Sequence, residues 1–487
     1  MMAPQHNLHK LAWIRHLLAR SLLTLGWAML GCRMESSDYM SAADQGASAE
    51  GSVWTQINSS IGLLGQWDYQ LADETSLCER MAAKAISPPY VNAVVNFIPT
   101  HGFIVATPPS SLEGAAAQNI DGQPVSDRLT WGDKICYRTS ETECLKPTAT
   151  MIRKFQASMA RCFMRVLASG RGVSIVPHLD DGQRQGKWRN LHILDPVAEN
   201  DWECETRSDS YYCALLKPLA QALRSARGSS SRGPIFFAGQ GEMGATVFAY
   251  PEKYEKALRK VRSIIDPTGQ DPRVQVGISI NFNKVAGYYP PDKIDLTAWR
   301  RLMNSIQFFG VSAYPNLEPD AQGVIDPGQF DQIFDSLYFE LQQIGYDLKK
   351  EGAHLDLHFS EVGIGGSSDF KSPAQTTKEA LTHTWAGIHG PYRPATNPWV
   401  YPLTRRAGEQ FYCTLGNYLS GKKANRWKVD QAFLWNLATW DIQGLYHASI
   451  EGDGKGPRSY RVPSIARGIS RYNSTGQYPC GPAGTPP

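Results

Sequence analysis

Residues 234–244 read Pro-Ile-Phe-Phe-Ala-Gly-Gln-Gly-Glu-Met-Gly, and residues 355–366 read Leu-Asp-Leu-His-Phe-Ser-Glu-Val-Gly-Ile-Gly-Gly. Each is a short, largely apolar run that ends in one glutamate with a glycine two residues further on. Runs of this kind suit strands buried on both faces, as in a parallel sheet. Working outward, similar runs predict strands at 61–67, 91–98, 172–177, 234–238, 274–280, 306–313, 355–360 and 429–435. Segments of helical period lie between them, at 73–86, 150–169, 211–227, 252–265, 296–304, 329–350 and 405–420. In the second of these, Ile152, Phe155, Met159, Phe163 and Val166 recur at spacings of three and four, which gives one apolar stripe. Eight strands alternating with helices predict an α/β fold, a closed (β/α)8 TIM barrel. An open doubly wound sheet is the poorer match, because no Gly-x-Gly-x-x-Gly turn follows the first strand. Long loop insertions are expected after strand two, over 100–147, and after strand seven, as far as 405. Both leave the strand ends where barrel enzymes build their sites.

The barrel is assigned to 56–472, and 473–487 reads as an irregular tail. Upstream, Lys10, Arg15 and Arg20 precede an uncharged stretch, Ser21 to Gly31, too short to span a bilayer and of the length of a signal-peptide core. Met29-Leu30-Gly31-Cys32 resembles a bacterial lipobox, so residues 1–32 are expected to be a signal peptide ending at a lipidated cysteine, with 33–55 a flexible tether. Simple secretion and an uncleaved anchor are the alternatives. The expected setting is export, with membrane contact only through that lipid. Eight further cysteines fit a disulfide-permitting compartment. Cys136/Cys144 and Cys204/Cys213 are the expected local bridges, whereas the spacing leaves Cys78, Cys162, Cys413 and Cys480 unassigned.

Forty-nine Lys and Arg against 46 Asp and Glu, spread along the chain, give no basic patch for nucleic acid. A 42% apolar and 20% charged composition excludes global disorder and a multi-span membrane protein. No Cys-x-x-Cys, phosphate loop or Gly-x-Ser-x-Gly elbow occurs. His178 with Asp180 and Asp181 offers too few ligands for a metal, so neither metal nor cofactor is expected.

Strands four and seven face each other across a barrel mouth, so Glu242 and Glu361 can converge. Paired carboxylates in that position suit glycoside hydrolysis: one protonates the leaving oxygen, and the other attacks the anomeric carbon or activates water. Either glutamate alone could instead make a strand-end salt bridge. Trp435, at the end of strand eight, offers an apolar face to a pyranose, while Trp188 and Trp440 could serve the site or the core. His101 reads as a loop histidine.

The order of strand ends resembles the clan of retaining (β/α)8 glycoside hydrolases, and within it the bacterial β-mannanase-type family. The likeness rests on Val95-Asn-Phe-Ile-Pro-Thr100, Ile175-Val-Pro-His-Leu-Asp180, Trp188-Arg189, Gly241-Glu242, Phe309-Gly-Val-Ser-Ala-Tyr314 and Phe359-Ser-Glu361-Val-Gly, and covers most of residues 60–440. It implies Glu242 as acid/base, Glu361 as nucleophile and Tyr314 as a hydrogen-bond donor to the nucleophile. It also implies His178, Asp180, Trp188 and Arg189 as sugar-binding residues. Most of the clan carries Asn before the acid/base; here that place is Gly241, and Gln240 or Asn281 is the candidate substitute. The expected partner is a carbohydrate and the expected state a monomer. A non-catalytic carbohydrate-binding surface lipoprotein and a transglycosidase remain as alternatives.

Overall fold

The computed structural model describes residues 54–69, 75–88, 92–106, 116–118, 124–140, 142–182, 189–228, 231–281, 289–367, 372–387, 398, 401–421, 425–435 and 463–481. The segment expected to be a signal peptide, Cys32, nearly all of the expected tether, Trp188, Trp440 and the last six residues lie outside them.

Eight parallel strands form the barrel wall: β1 Ile57–Leu63, β2 Val94–Val105, β3 Gly172–Ile175, β4 Ile235–Gly241, β5 Val274–Asn281, β6 Phe308–Ala313, β7 Asp356–Val362 and β8 Gln431–Leu434. Each pairs with its neighbours in sequence, and β1 pairs with both β2 and β8, so the sheet closes on itself. The fold is the (β/α)8 barrel that the alternation predicts. Eight longer helices follow the strands: α1 Leu77–Ala85, α2 Ala149–Leu167, α3 Lys217–Ala226, α4 Pro251–Ile265, α5 Leu296–Ser305, α6 Gln332–Gln343, α7 Pro402–Leu419 and α8 Pro463–Thr475. Local chemistry sets several of their starts. Ser76 caps α1 in a reciprocal box with Glu79, and Thr148 caps α2 by accepting from the Met151 N–H.

The floor of the barrel is apolar. His358 stacks on Phe308 at 4.5 Å and meets Phe236 edge-on at 5.0 Å, and burial holds its imidazole at a pKa of about 3, hence neutral. One layer higher the interior turns polar, with the Asn96 amide donating to Ser60 Oγ at 3.0 Å and to the Ser360 carbonyl at 3.2 Å. The barrel thus has a packed base beneath a polar mouth.

Three boundaries differ from expectation. The first strand begins at Ile57, and residues 66–69 form a short helix. Asn58, Ser59 and Ser60 gave that strand a polar look, yet they are buried, and Asn58 Oδ1 accepts from the Ala93 and Val94 N–H groups. The helix expected at 329–350 ends at Gln343, just before Gly345 at φ +84°. The tail expected from 473 begins inside α8, whose final turn continues through Asn473 to Thr475. Asn473 Oδ1 accepts from the Ile57 N–H and its Nδ2 donates to the Ile57 carbonyl, both at 2.8 Å, so the last helix clamps the first strand.

The insertion after β2 has sheet structure of its own. β2 runs on to Val105, and its outer half pairs with His178–Asp181 on one side and Thr130–Arg138 on the other. Thr130–Arg138 also pairs with Cys144–Leu145 and with His192–Leu194. Cys136–Cys144 and Cys204–Cys213 form the expected local bridges. Cys78–Cys162 joins α1 to α2, and Cys413–Cys480 ties the tail to α7. Among the described residues no helix is long and apolar enough to cross a membrane.

Candidate active site

Both glutamates leave their strands at bulges. Ala238 and Gly241 on β4 oppose Gly277 and Ser279 on β5, three steps against two. On β7, Phe359 and Glu361 oppose the consecutive Val311 and Ser312 of β6. A bulge re-aims the residues after it, and here each delivers a buried carboxylate at the mouth. Glu242 has φ +62°, a left-handed conformation that costs a non-glycine residue about 1 kcal/mol. Its backbone is fixed there by an N–H donated to the Ser279 carbonyl at 3.0 Å. Gly241 must lack a side chain: a Cβ there would come within 2.2 Å of His178 Cδ2, 2.3 Å of its Nε2 and 2.7 Å of Val176 Cγ1. The place before Glu242 is therefore filled by an imidazole from the neighbouring strand.

Glu361 Oε2 accepts the Tyr314 hydroxyl at 2.9 Å. Its Oε1 lies 3.1 Å from His178 Nε2, without the alignment of a hydrogen bond. Burial pushes the Glu361 carboxyl up to about 7, against the opposing pull of Arg189 and the Tyr314 hydrogen bond. Burial pushes His178 down to about 3, and Arg189 adds to this, so the imidazole facing Glu361 is neutral. The Tyr314 phenol is raised well above its usual value by burial and then by Glu361.

Arg189 joins the two sides of the site. Its Nη1 donates to Glu242 Oε2 at 2.8 Å, and its Nε and Nη2 meet Asp180 Oδ1 at 2.8 Å. Its burial opposes the charge, but Asp180, Glu242 and Glu361 together raise its pKa. Asp180 is half-buried, and although desolvation pushes its carboxyl up, Arg189 and then Arg138 hold it below the usual carboxylate range. Arg138 Nη1 donates to Asp180 Oδ2 at 3.0 Å.

Sequence reasoning did not single out Arg138. It lies in the insertion, two residues past Cys136, and only the pairing of strands far apart in sequence brings it near Asp180.

The structure thus gathers Glu242, Glu361, His178, Asp180, Arg189 and Tyr314. Trp435 joins them, its ring nearly parallel to His178 at 6.3 Å and its main-chain N–H donated to the Val362 carbonyl. Asn281 is half-buried at the same end of β5, two residues past the Ser279 that anchors Glu242. Gln240 uses its Oε1 to accept the Met243 N–H at 2.8 Å, within its own turn. His101 lies elsewhere, buried with Tyr69 Oη at 3.1 Å from its Nε2 and stacked on Tyr137 at 4.1 Å. Among the described residues no cluster of three His, Cys, Asp or Glu side chains could hold a metal ion.

No protein-family model matches the chain, and no curated protein matches it. Among solved structures it is similar to the GH113 β-mannanase of Alicyclobacillus acidocaldarius in complex with ManMIm, at 15% identity and a TM-score of 0.45 over 87% of this chain and 98% of that one. It is also similar to the mannanase man26 of Bacillus subtilis, at 13% identity and a TM-score of 0.32 over 80% and 82% of the two chains. A β-1,3-glucanase of Cryptomeria japonica pollen is a further neighbour, at 10% identity and a TM-score of 0.33 over 83% and 94%.

Proposed function

We propose that the protein is a retaining glycoside hydrolase that cleaves a β-linked polysaccharide or oligosaccharide by double displacement. The observation that carries this reading is the pair of buried glutamates delivered to one mouth by bulges in β4 and β7, with Arg189 acting on both. Glu361 attacks the anomeric carbon, with its charge supported by Tyr314 and Arg189. Glu242 protonates the departing oxygen and then, as a base, takes a proton from the water that hydrolyses the glycosyl-enzyme. His178, Asp180, Arg189, Asn281 and Trp435 bind the sugar, with the indole face against pyranose C–H groups. Trp188 and Trp440, the other candidates of this kind, lie outside the described residues.

The chain is exported and anchored through Cys32 in this proposal, a reading supported by four disulfides among the described residues.

The test is to assay purified protein on β-linked polysaccharides and aryl glycosides beside Glu242→Gln and Glu361→Gln. Each variant is expected to lose activity by about 10³-fold or more with its fold intact. The first product detected by proton NMR should have the anomeric configuration of the substrate. Initial inversion would remove the double displacement. Binding of glycans without cleavage would make the protein a surface glycan receptor, and dominant transfer to sugar acceptors would make it a transglycosidase.

A further inference from the structure

We propose that Arg138 is a positioning residue of this site, acting through Asp180 and Arg189 on Glu242. The proposal rests on the reading that Glu242 is a reacting carboxylate. Arg138 lies on Thr130–Arg138, a strand outside the barrel wall, and the connection to Glu242 is a continuous chain of charge-assisted hydrogen bonds. Arg138 donates to Asp180 Oδ2 at 3.0 Å, Asp180 Oδ1 accepts from Arg189 at 2.8 Å, and Arg189 donates to Glu242 at 2.8 Å.

Strand register makes the chain possible. Gly102 of β2 is the partner of Cys136 on one side and of Asp180 on the other. In-register side chains share a face, as do residues two apart on one strand, so Cys136, Arg138 and Asp180 lie on the same side of the sheet. The Cys136–Cys144 bridge sits on that face, because a Cβ on Gly102 or on Gly182 would come within 2.7 Å of Cys136 Sγ. The bridge fixes the strand that carries Arg138 over a surface kept bare by two glycines.

The division of labour follows from the donor geometry. With Oδ2 occupied by Arg138, Asp180 offers Oδ1 to Arg189 and leaves Arg189 Nη1 for Glu242. Without Arg138, Asp180 loses one of its two cations and the donor to Oδ2, and the remaining attraction draws Arg189 toward Asp180 and away from Glu242. The groups that bear on Glu242 electrostatically are Arg189 on the short helix Arg189–Leu191, His178 on the strand His178–Asp181, and Tyr314 after β6. Arg138 is the further cation, joined to this set through Asp180.

The experiment compares wild type with Arg138→Met and Arg138→Lys in the full, disulfide-intact chain, by kinetics and by crystallography. Arg138→Met should lower kcat by about 10- to 100-fold, with KM changed by less than about twofold. Arg138→Lys should restore most of kcat. An unchanged kcat in Arg138→Met overturns the proposal, as does a loss of activity that only follows a lowered Tm and that Lys does not relieve.

The crystal structure decides the matter without any substrate. Departure of Arg189 Nη1 from Glu242 in Arg138→Met supports the proposal even if wild type hydrolyses no glycoside, a result that would defeat the proposed function alone. Retention of that contact at its present distance overturns the proposal even if wild type is an active glycosidase.

Discussion

Glu361 is a carboxyl buried opposite a neutral imidazole, and its elevated pKa has two measurable consequences. If it is the nucleophile it must be ionised, so kcat/KM should rise with pH through a limb near 7. Tyr314→Phe removes a hydrogen bond to the charged form, so it should move that limb upward and lower kcat by about 10-fold or more. The second consequence concerns stability. The folded state holds the Glu361 proton to about 7, whereas the unfolded chain releases it near 4.5, so the folded state binds more protons between these values. The resulting penalty is absent below 4.5, grows as pH rises, and is complete above 7. Glu361→Gln should therefore raise the Tm at pH 8, by an amount corresponding to about 2–3 kcal/mol, and change it little at pH 4. An equal effect at both pH values would show that burial does not hold the proton there. Glu242, Glu361 and Trp435 were legible from sequence because each ends or follows a buried run, whereas His178, Asp180, Arg189 and Tyr314 were reached through the family resemblance. Arg138 and the imidazole over Gly241 were legible in neither way, since both depend on packing between segments far apart in the chain.

At the scale of elements, the eight barrel strands were readable because an apolar run buried on both faces looks alike in every position. The bulges were not, because an extra residue in one strand is defined only against its partner. The sheet built onto β2 was read as loop, since it is held to the barrel by pairings of β2 with Thr130–Arg138 and His178–Asp181, segments far from it in sequence. β1 was displaced by a polar stretch whose members are hydrogen-bonded inside the barrel. The clamp by Asn473 is a further contact of this kind. Asn473→Ala should cost about 1–2 kcal/mol by leaving both polar groups of Ile57 without that partner, and should increase amide exchange at the start of β1. Protection in β1 equal to wild type would show that neighbouring strands suffice to hold it.

Across the whole molecule, the apolar base and polar mouth assign stability and chemistry to opposite ends of one barrel. The disulfides divide in a similar way. Cys136–Cys144 supports the mouth, whereas Cys78–Cys162 spans a sequence separation of 84 and joins two outer helices. In the chain-entropy account, closing a loop of that length contributes about 4–5 kcal/mol. Replacing Cys78 and Cys162 with Ser should lower the Tm substantially while leaving kcat at temperatures well below it within about twofold. Replacing Cys136 and Cys144 should instead lower kcat at those temperatures. The clamp from α8 to β1 also bears on the order of events in folding. Ile57 and Asn473 lie 416 positions apart, so the contact between them closes one of the longest loops in the described chain. Such a contact is entropically costly until the intervening strands have paired, and the clamp is therefore a late event that seals a barrel already assembled.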